Sequence, residues 1–343
     1  MLVAAAAALL QPTWTLLLGG DVMLNGIDPT SRPLQYVAAH TRTADLSIVN
    51  LEIPLTFAQT ATSRKTPAQL KAKTQFVLKA HPHHIGSLWG AGIDAVTLGN
   101  NHAMDYGPAG LAEMTGLLTG RSIAFAGAGV NAVAASSPAS LSVRGMRVAL
   151  LSMLAFKTQT ALHTCWPATD EEPGIATLYL AGVIAESAKE RVRQVVSAAK
   201  KEADFLIVAL HWGVEKKSVP DSYQVSLGRA FIEAGADLVV GHHPHVLQGG
   251  EVYSGLPILY SLGNLVSPRP GSTALFQLTF QGTDLRSVAV LPYEIRDGKV
   301  KPHPDPRKQQ ALSSFRQLEE KLRKRFPSKN SAALEVEILK GPS

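Results

Sequence analysis

The sequence predicts an α/β fold in which two sheets pack together with helices on their outer faces. Three observations carry that prediction. Short apolar, β-branched-rich runs alternate with helical patterns from Trp14 to Val240, as a mostly parallel, buried sheet requires. From Gly255 to Arg296 the apolar runs follow one another without helices, which calls for antiparallel pairs. Residues able to bind a metal recur just past strand-like runs, which is how an α/β sheet builds one site at its carboxyl edge.

The strands expected in order are Trp14–Leu18, Leu46–Val49, Ala95–Leu98, Ile123–Ala126, Arg147–Ser152, Phe205–Leu210, Leu238–Val240, Ile258–Ser261, Leu275–Phe280 and Ser287–Pro292. Helices are expected at Pro33–Ala39, Pro82–Gly90, Pro108–Leu118, Val183–Ala203 and Ser222–Ala234. Three of these begin with proline, which suits a first helical turn because its missing N–H has no partner to lose there. Thr56–Lys79 is polar and basic and reads as a long surface insertion; Thr160–Gly174 reads as another loop.

Residues 1–13 read as an N-terminal extension or a signal remnant. Leu2–Leu10 is apolar, but no Lys or Arg precedes it and the first basic residue is Arg32. Residues 14–300 form the main domain. Residues 301–343 are a linker, KPHPDP, followed by a helix expected to pack on the domain, with Leu312, Phe315, Leu318, Leu322 and Phe326 at helical spacing. No segment beyond the N-terminal run reaches transmembrane length without charges.

The 343 residues carry a net charge of +6, which favours anionic ligands. The basic stretch RQLEEKLRKR also holds acids and lacks interleaved aromatics, so it reads as a solvated helix face and not as a nucleic-acid surface. The single cysteine, Cys165, cannot form an intramolecular disulfide. No hydrolase pattern surrounds it, so it reads as a buried or loop thiol.

Five clusters hold the chemistry: GGDVML, VNLE, GNNHAMDYG, LHWGVE and GHHPHV. In GHHPHV, extended backbone would point His243 and His245 the same way and turn His242 elsewhere. Two imidazoles on one face fit one metal or two adjacent ones; the alternative is a solvated histidine-rich turn. His211 follows a strand at the same edge, and Glu215 is either a support for a ligand imidazole or a solvated acid. Asp21 is a hard ligand or a turn former. The Glu52 carboxylate can bridge two cations. Asn101 can offer a carbonyl oxygen, leaving His102 as a general acid, while Asp105 orients His102 or caps the following helix. Mixed oxygen and nitrogen donors without thiolate favour one or two divalent transition metal ions, Mn, Fe or Zn, and metal-assisted hydrolysis through activated water.

With YSLGNL added, this motif series resembles the bacterial CapA family, associated with capsule and poly-γ-glutamate synthesis, over roughly Thr15–Pro268. That family is similar to the calcineurin-like metallophosphoesterases. The resemblance implies a four-layer α/β/β/α sandwich of two mixed sheets. It implies Asp21 on one metal, Glu52 as the bridge, Asn101, His211 and His243 on the second metal, and His245 on the first. His102 would contact the substrate anion, and Asn264 would line the pocket or shape a turn. Two residues depart from the phosphoesterase pattern: Met23 stands where Asp-x-His has its histidine, and Glu52 where the second acid is usually Asp. Both are features of the CapA family.

The function so implied is a capsule or poly-γ-glutamate synthesis protein, exported or in the cell envelope, with a metal-dependent hydrolase site for an anionic polymer or phosphoester. Capsule-synthesis machinery would be its partner. The alternatives are a phosphodiesterase or nucleotidase unrelated to capsule, with cytoplasmic residence still open, and a non-catalytic polymer-binding export component.

Overall fold

The computed structural model describes residues 11–157, 159–179 and 186–338. Most of the N-terminal extension, the first residues of the helix expected from Val183 and the final five residues lie outside them.

Among the described residues, the first sheet holds β1 (Thr13–Val22), β2 (Leu46–Leu51), β3 (Ala95–Thr97), β4 (Ala124–Ala126), β14 (Asn264–Val266), β15 (Gly271–Gln281), β16 (Asp284–Arg296), β17 (Lys299–Pro302) and β19 (Glu337–Ile338). Its order is β17-β16-β15-β1-β2-β3-β4, with β14 beside β1 and β19 beside β16. The second sheet holds β6 (Ala139–Val143), β7 (Met146–Phe156), β9 (Thr177–Tyr179), β10 (Phe205–Trp212), β11 (Leu238–His242), β12 (Gly250–Tyr253), β13 (Leu256–Leu259) and β18 (Ser331–Ala332). Its order is β18-β12-β13-β11-β10-β7-β6, with β9 beside β7. A short ribbon pairs β5 (Ala128–Gly129) with β8 (Gly174–Ile175).

Period-two alternation along each strand builds the layers. In β1, Leu16 and Leu18 face a cluster shared by both sheets, which also contains Phe205, Ile207 and Ala209 of β10. Leu17 faces the opposite way, towards the helices Ile85–Ala91 and Gly107–Thr119. In β10, Leu206, Val208 and Leu210 face the helices Glu186–Lys200 and Ser222–Glu233. Three apolar interfaces separate four layers, so the fold is the expected α/β/β/α sandwich. Central strands are covered on both faces, which is why their sequences read as unbroken apolar runs.

Several expectations need correction. Helix formation does not start at Pro33: its carbonyl accepts from Val300 N–H at 3.0 Å, so it is engaged with β17, and only Ala38–Thr41 is helical. The strands after Gly255 are not all antiparallel pairs. β15 and β16 are, but β13 runs parallel to β11 and β14 parallel to β1, because the chain crosses from one sheet to the other between them. Thr160–Gly174 is not all loop, since Gln159–Thr164 is helical. Nor is Thr56–Lys79 simply a surface insertion: Thr56 and Lys65 are buried, and a short helix, Pro67–Lys71, is capped by a Thr66–Gln69 box.

The C-terminal helix Asp305–Arg325 buries Leu312, Phe315, Glu319 and Leu322. Phe315 sits against Phe276 of the first sheet with ring centroids 5.1 Å apart. No helix among the described residues is long and apolar enough to cross a membrane.

Candidate metal centre

β1 and β2 run further than their apolar stretches, and that carries polar residues into the sheet edge. Parallel pairing sets Asp21 opposite Asn50 and, on its other side, opposite Asn264. A bulge between Leu18 and Asp21 re-aims the strand end. Gly20 is required there: a Cβ at this position would lie 2.0 Å from the Gly263 carbonyl oxygen. Across the sandwich, β10 and β11 pair His211 with His242, and Gly241 makes a similar close approach to the Tyr260 carbonyl oxygen.

Asn50 ties the first-sheet half together. Its amide donates to Asp21 Oδ1 at 2.8 Å, while its carbonyl oxygen accepts from Thr97 Oγ1 at 2.9 Å and Asn100 Nδ2 at 3.0 Å. Asn100 in turn donates to the Leu51 carbonyl and accepts from the backbone N–H groups of His102 and Ala103. That fixes the loop presenting Asn101 and His102. Sequence reasoning missed both Asn50 and Asn100; position inside VNLE and GNNHAMDYG was the only signal for them.

The expected donors converge. Asp21, Glu52 and His211 offer donor atoms within 4.8 Å of one another, as do Glu52, His243 and His245. Glu52 belongs to both groups. His211 Nε2 lies 2.7 Å from Asn101 Oδ1 and 3.3 Å from Glu52 Oε1. His245 Nδ1 lies 3.1 Å from Asp21 Oδ2 and 2.9 Å from Asn264 Oδ1, so Asn264 lines the site. His245 thus stands beside Asp21, and the ring centroids of His211 and His243 lie 4.8 Å apart.

The geometry around GHHPHV differs from the extended strand expected. His243 and His245 have φ of 95° and 58°, so the pair reaches Glu52 through a left-handed turn and not by strand alternation. His242 does not point elsewhere: its Nδ1 lies 3.2 Å from Asp21 Oδ1. An imidazole therefore stands beside Asp21 although Met23 occupies the position where the sequence pattern would place one. Glu215 is exposed. Cys165 is buried, and burial pushes its thiol up to about 11, which keeps it protonated and inert.

Electrostatics match a cation site. Burial raises the Asp21 carboxyl, but hydrogen bonds and charge from His242 and His245 outweigh it and hold it well below the usual carboxylate range. Glu52 is raised well above its usual range by burial and then by the Asp21 charge. Both Glu52 carboxylate oxygens are buried without a hydrogen-bond partner, as is Nδ1 of His243. Burial and the neighbouring imidazoles hold His211 well below its ordinary value, and burial with the His245 charge takes His243 down to about 3, so both are neutral and able to bind a metal. His245 goes the other way: the Glu52 and Asp21 charges outweigh burial and lift it to about 10. Buried polar atoms without partners are costly, and a divalent ion bound by Glu52 and the imidazoles would satisfy them. The residues present therefore fit a divalent metal.

A second buried set lies beside the first. His102 Nδ1 is 2.7 Å from Asp105 Oδ2, and burial lowers His102 from its ordinary value. The Lys65 ammonium meets Asp105 Oδ1 and donates to the Phe76 carbonyl at 2.6 Å. Lys65 was missed in the sequence because a lysine in a polar, basic stretch carries no sign of burial.

These layers and this sheet-edge cluster define a four-layer α/β/β/α protein with a candidate metal centre at one sheet edge. A crystal structure of a novel phosphatase from Mycoplasma pneumoniae shares the fold, with a TM-score of 0.53 at 13% identity, covering 89% of this chain and 99% of that one. The chain belongs to the bacterial capsule synthesis protein family PGA_cap, whose model matches residues 15–269. It is similar to the capsule biosynthesis protein CapA of Bacillus anthracis, 29% identical over 80% of this chain and 64% of that protein. It is also similar to the PGA biosynthesis protein CapA of Bacillus subtilis, 30% identical over 83% of this chain and 68% of that protein. The chain thus spans about two thirds of the length of these curated relatives.

Proposed function

We propose that the chain is a metal-dependent hydrolase of the capsule synthesis family, acting on an anionic polymer such as poly-γ-glutamate in the cell envelope alongside capsule-synthesis machinery. The observation that carries the reading is Glu52: a fully buried carboxylate, with neither oxygen hydrogen-bonded, common to two groups of donors. Such a group is costly as a structural feature and useful as a bridge between cations. Asp21, Glu52, Asn101, His211, His243 and His245 would hold one or two divalent ions of Mn, Fe or Zn. The ions would supply Lewis acidity and water activation when bound. The chain itself holds the His211 and His243 imidazoles neutral, anchors Asp21 through Asn50, and sets His102, backed by Asp105, where it can give a proton to a leaving group. The net charge of +6 draws polyanions to the site.

The bond could be a phosphoester or an amide, since the same site chemistry serves both. A panel of phosphoesters and γ-glutamyl polymers, run with wild type and His102→Ala after metal loading, separates the two. Turnover of γ-glutamyl polymer supports the reading. Turnover of simple phosphoesters alone makes the chain a general phosphodiesterase, and polymer binding without turnover makes it an export component. Metal content unchanged in His245→Ala would overturn the ligand assignment.

A further inference from the structure

The buried ammonium of Lys65 has no place in the ligand set. It sits on the Thr56–Lys79 segment, its side chain wholly buried, and it makes three contacts: Asp105 Oδ1, the Phe76 carbonyl oxygen and His102 Nδ1, the last at 3.1 Å. Asp105 is held from every side. Oδ1 takes Lys65; Oδ2 accepts from Leu78 N–H at 2.8 Å and lies 2.7 Å from His102 Nδ1. The two neighbours of Nδ1 make opposite demands on it. A lysine can only donate, so it would want Nδ1 bare; a carboxylate accepts, so it wants Nδ1 to carry the proton. The shorter contact is to the carboxylate, and two bare acceptors 2.7 Å apart would repel. Lysine has other acceptors to satisfy. Nδ1 therefore carries the proton, which leaves Nε2 as the ring nitrogen for substrate.

We propose that Lys65 is a positioning residue: by clamping Asp105 Oδ1 it aims Oδ2 at His102 Nδ1, fixes the Nδ1–H tautomer and so presents Nε2 for proton transfer. Without Lys65, Asp105 Oδ1 would be a buried acceptor lacking a donor, and the carboxylate would be free to turn away from the ring. This assignment rests on the hydrolase reading for its purpose, but the placement of the proton does not, and the test separates them.

The first measurement needs no variant. Two-bond 1H–15N correlation spectra of the 15N-labelled full chain, with His102 assigned by its loss in His102→Gln, report which ring nitrogen is protonated. The inference requires Nδ1–H; a proton on Nε2 with Nδ1 bare overturns it. The second measurement compares the exchange of that Nδ1–H with water in Lys65→Met and Lys65→Arg. Loss of a charge-assisted hydrogen bond should speed exchange by about tenfold or more in Lys65→Met, and Lys65→Arg should restore protection. Unchanged exchange in Lys65→Met overturns the positioning role and leaves Lys65 as a pin for the Thr56–Lys79 segment. Should Lys65→Met fail to fold, Lys65→Gln takes its place in the exchange measurement, with the same two outcomes. With an active substrate, Lys65→Met should lower kcat with KM unchanged. A chain with the expected tautomer and exchange but no turnover on any substrate refutes the hydrolase reading and keeps the positioning.

Discussion

Glu52→Gln should stabilise the metal-free protein while abolishing its response to metal. Burial and the Asp21 charge raise the Glu52 carboxyl in the folded chain, so between the ordinary glutamate range and that raised value the folded state keeps a proton that the unfolded chain has released. Stability therefore falls as pH rises through this window, and glutamine removes the slope. An ionised carboxylate left without hydrogen bonds costs more than the ~1–3 kcal/mol of a neutral polar group. His245 Nε2, 3.8 Å from Oε1, offsets part of that, which leaves about 2 kcal/mol. For a chain of 343 residues the unfolding entropy is about 0.7 kcal/mol per kelvin, so the gain in Tm is about 3 °C. A divalent ion at a hundred times its Kd adds about 2.7 kcal/mol to the wild type, or about 4 °C, and nothing to the variant. Calorimetry in chelator from about pH 4 to about pH 9, then with added Mn²⁺, reads both effects. The variant should be indistinguishable at the acid end, more stable at the alkaline end, and less stable than wild type once metal is present. A variant less stable than wild type in chelator at alkaline pH, or one that keeps the metal-induced shift, would refute the reasoning.

Three further outcomes are expected. His102→Ala should retain wild-type metal content by elemental analysis and lose about 10²–10⁴ in kcat; loss of metal instead would place His102 among the ligands. Gly20→Ala should cost about 1–3 kcal/mol in a denaturant melt and reduce metal content, because the Gly263 carbonyl must move and Asp21 moves with it. Glu319, buried on the C-terminal helix, is pushed up to about 7 by burial. Glu319→Gln should therefore leave stability unchanged near pH 4 and raise it by about 3 kcal/mol well above pH 7; a gain that is flat with pH would contradict this.

Layering was legible in the sequence because it follows from local patterns. Runs such as Phe205–Leu210 announce a strand buried on both faces, and the helix at Pro108–Leu118 carries its own start signal. The donors were legible for the same reason: each follows such a run. What the sequence could not supply were contacts set by turns and by distant segments. His242 reaches Asp21 because positive φ at His243 and His245 breaks the alternation that would have turned it away. Lys65 reaches Asp105 from forty residues upstream, across a segment whose polarity suggested a solvated surface. Asn50 was indistinguishable from any asparagine near a strand end until register set it opposite Asp21. Pro33 showed the reverse failure: a local helix signal lost to a long-range hydrogen bond with Val300.

We propose that the sheet-edge cluster is a divalent metal centre bridged by Glu52. Anomalous diffraction from crystals of the full chain grown with Mn²⁺ tests it most directly. Anomalous density is expected within coordination distance of Glu52 and of at least one of His211, His243 and His245. Manganese absent from this cluster, or bound only elsewhere, would contradict it.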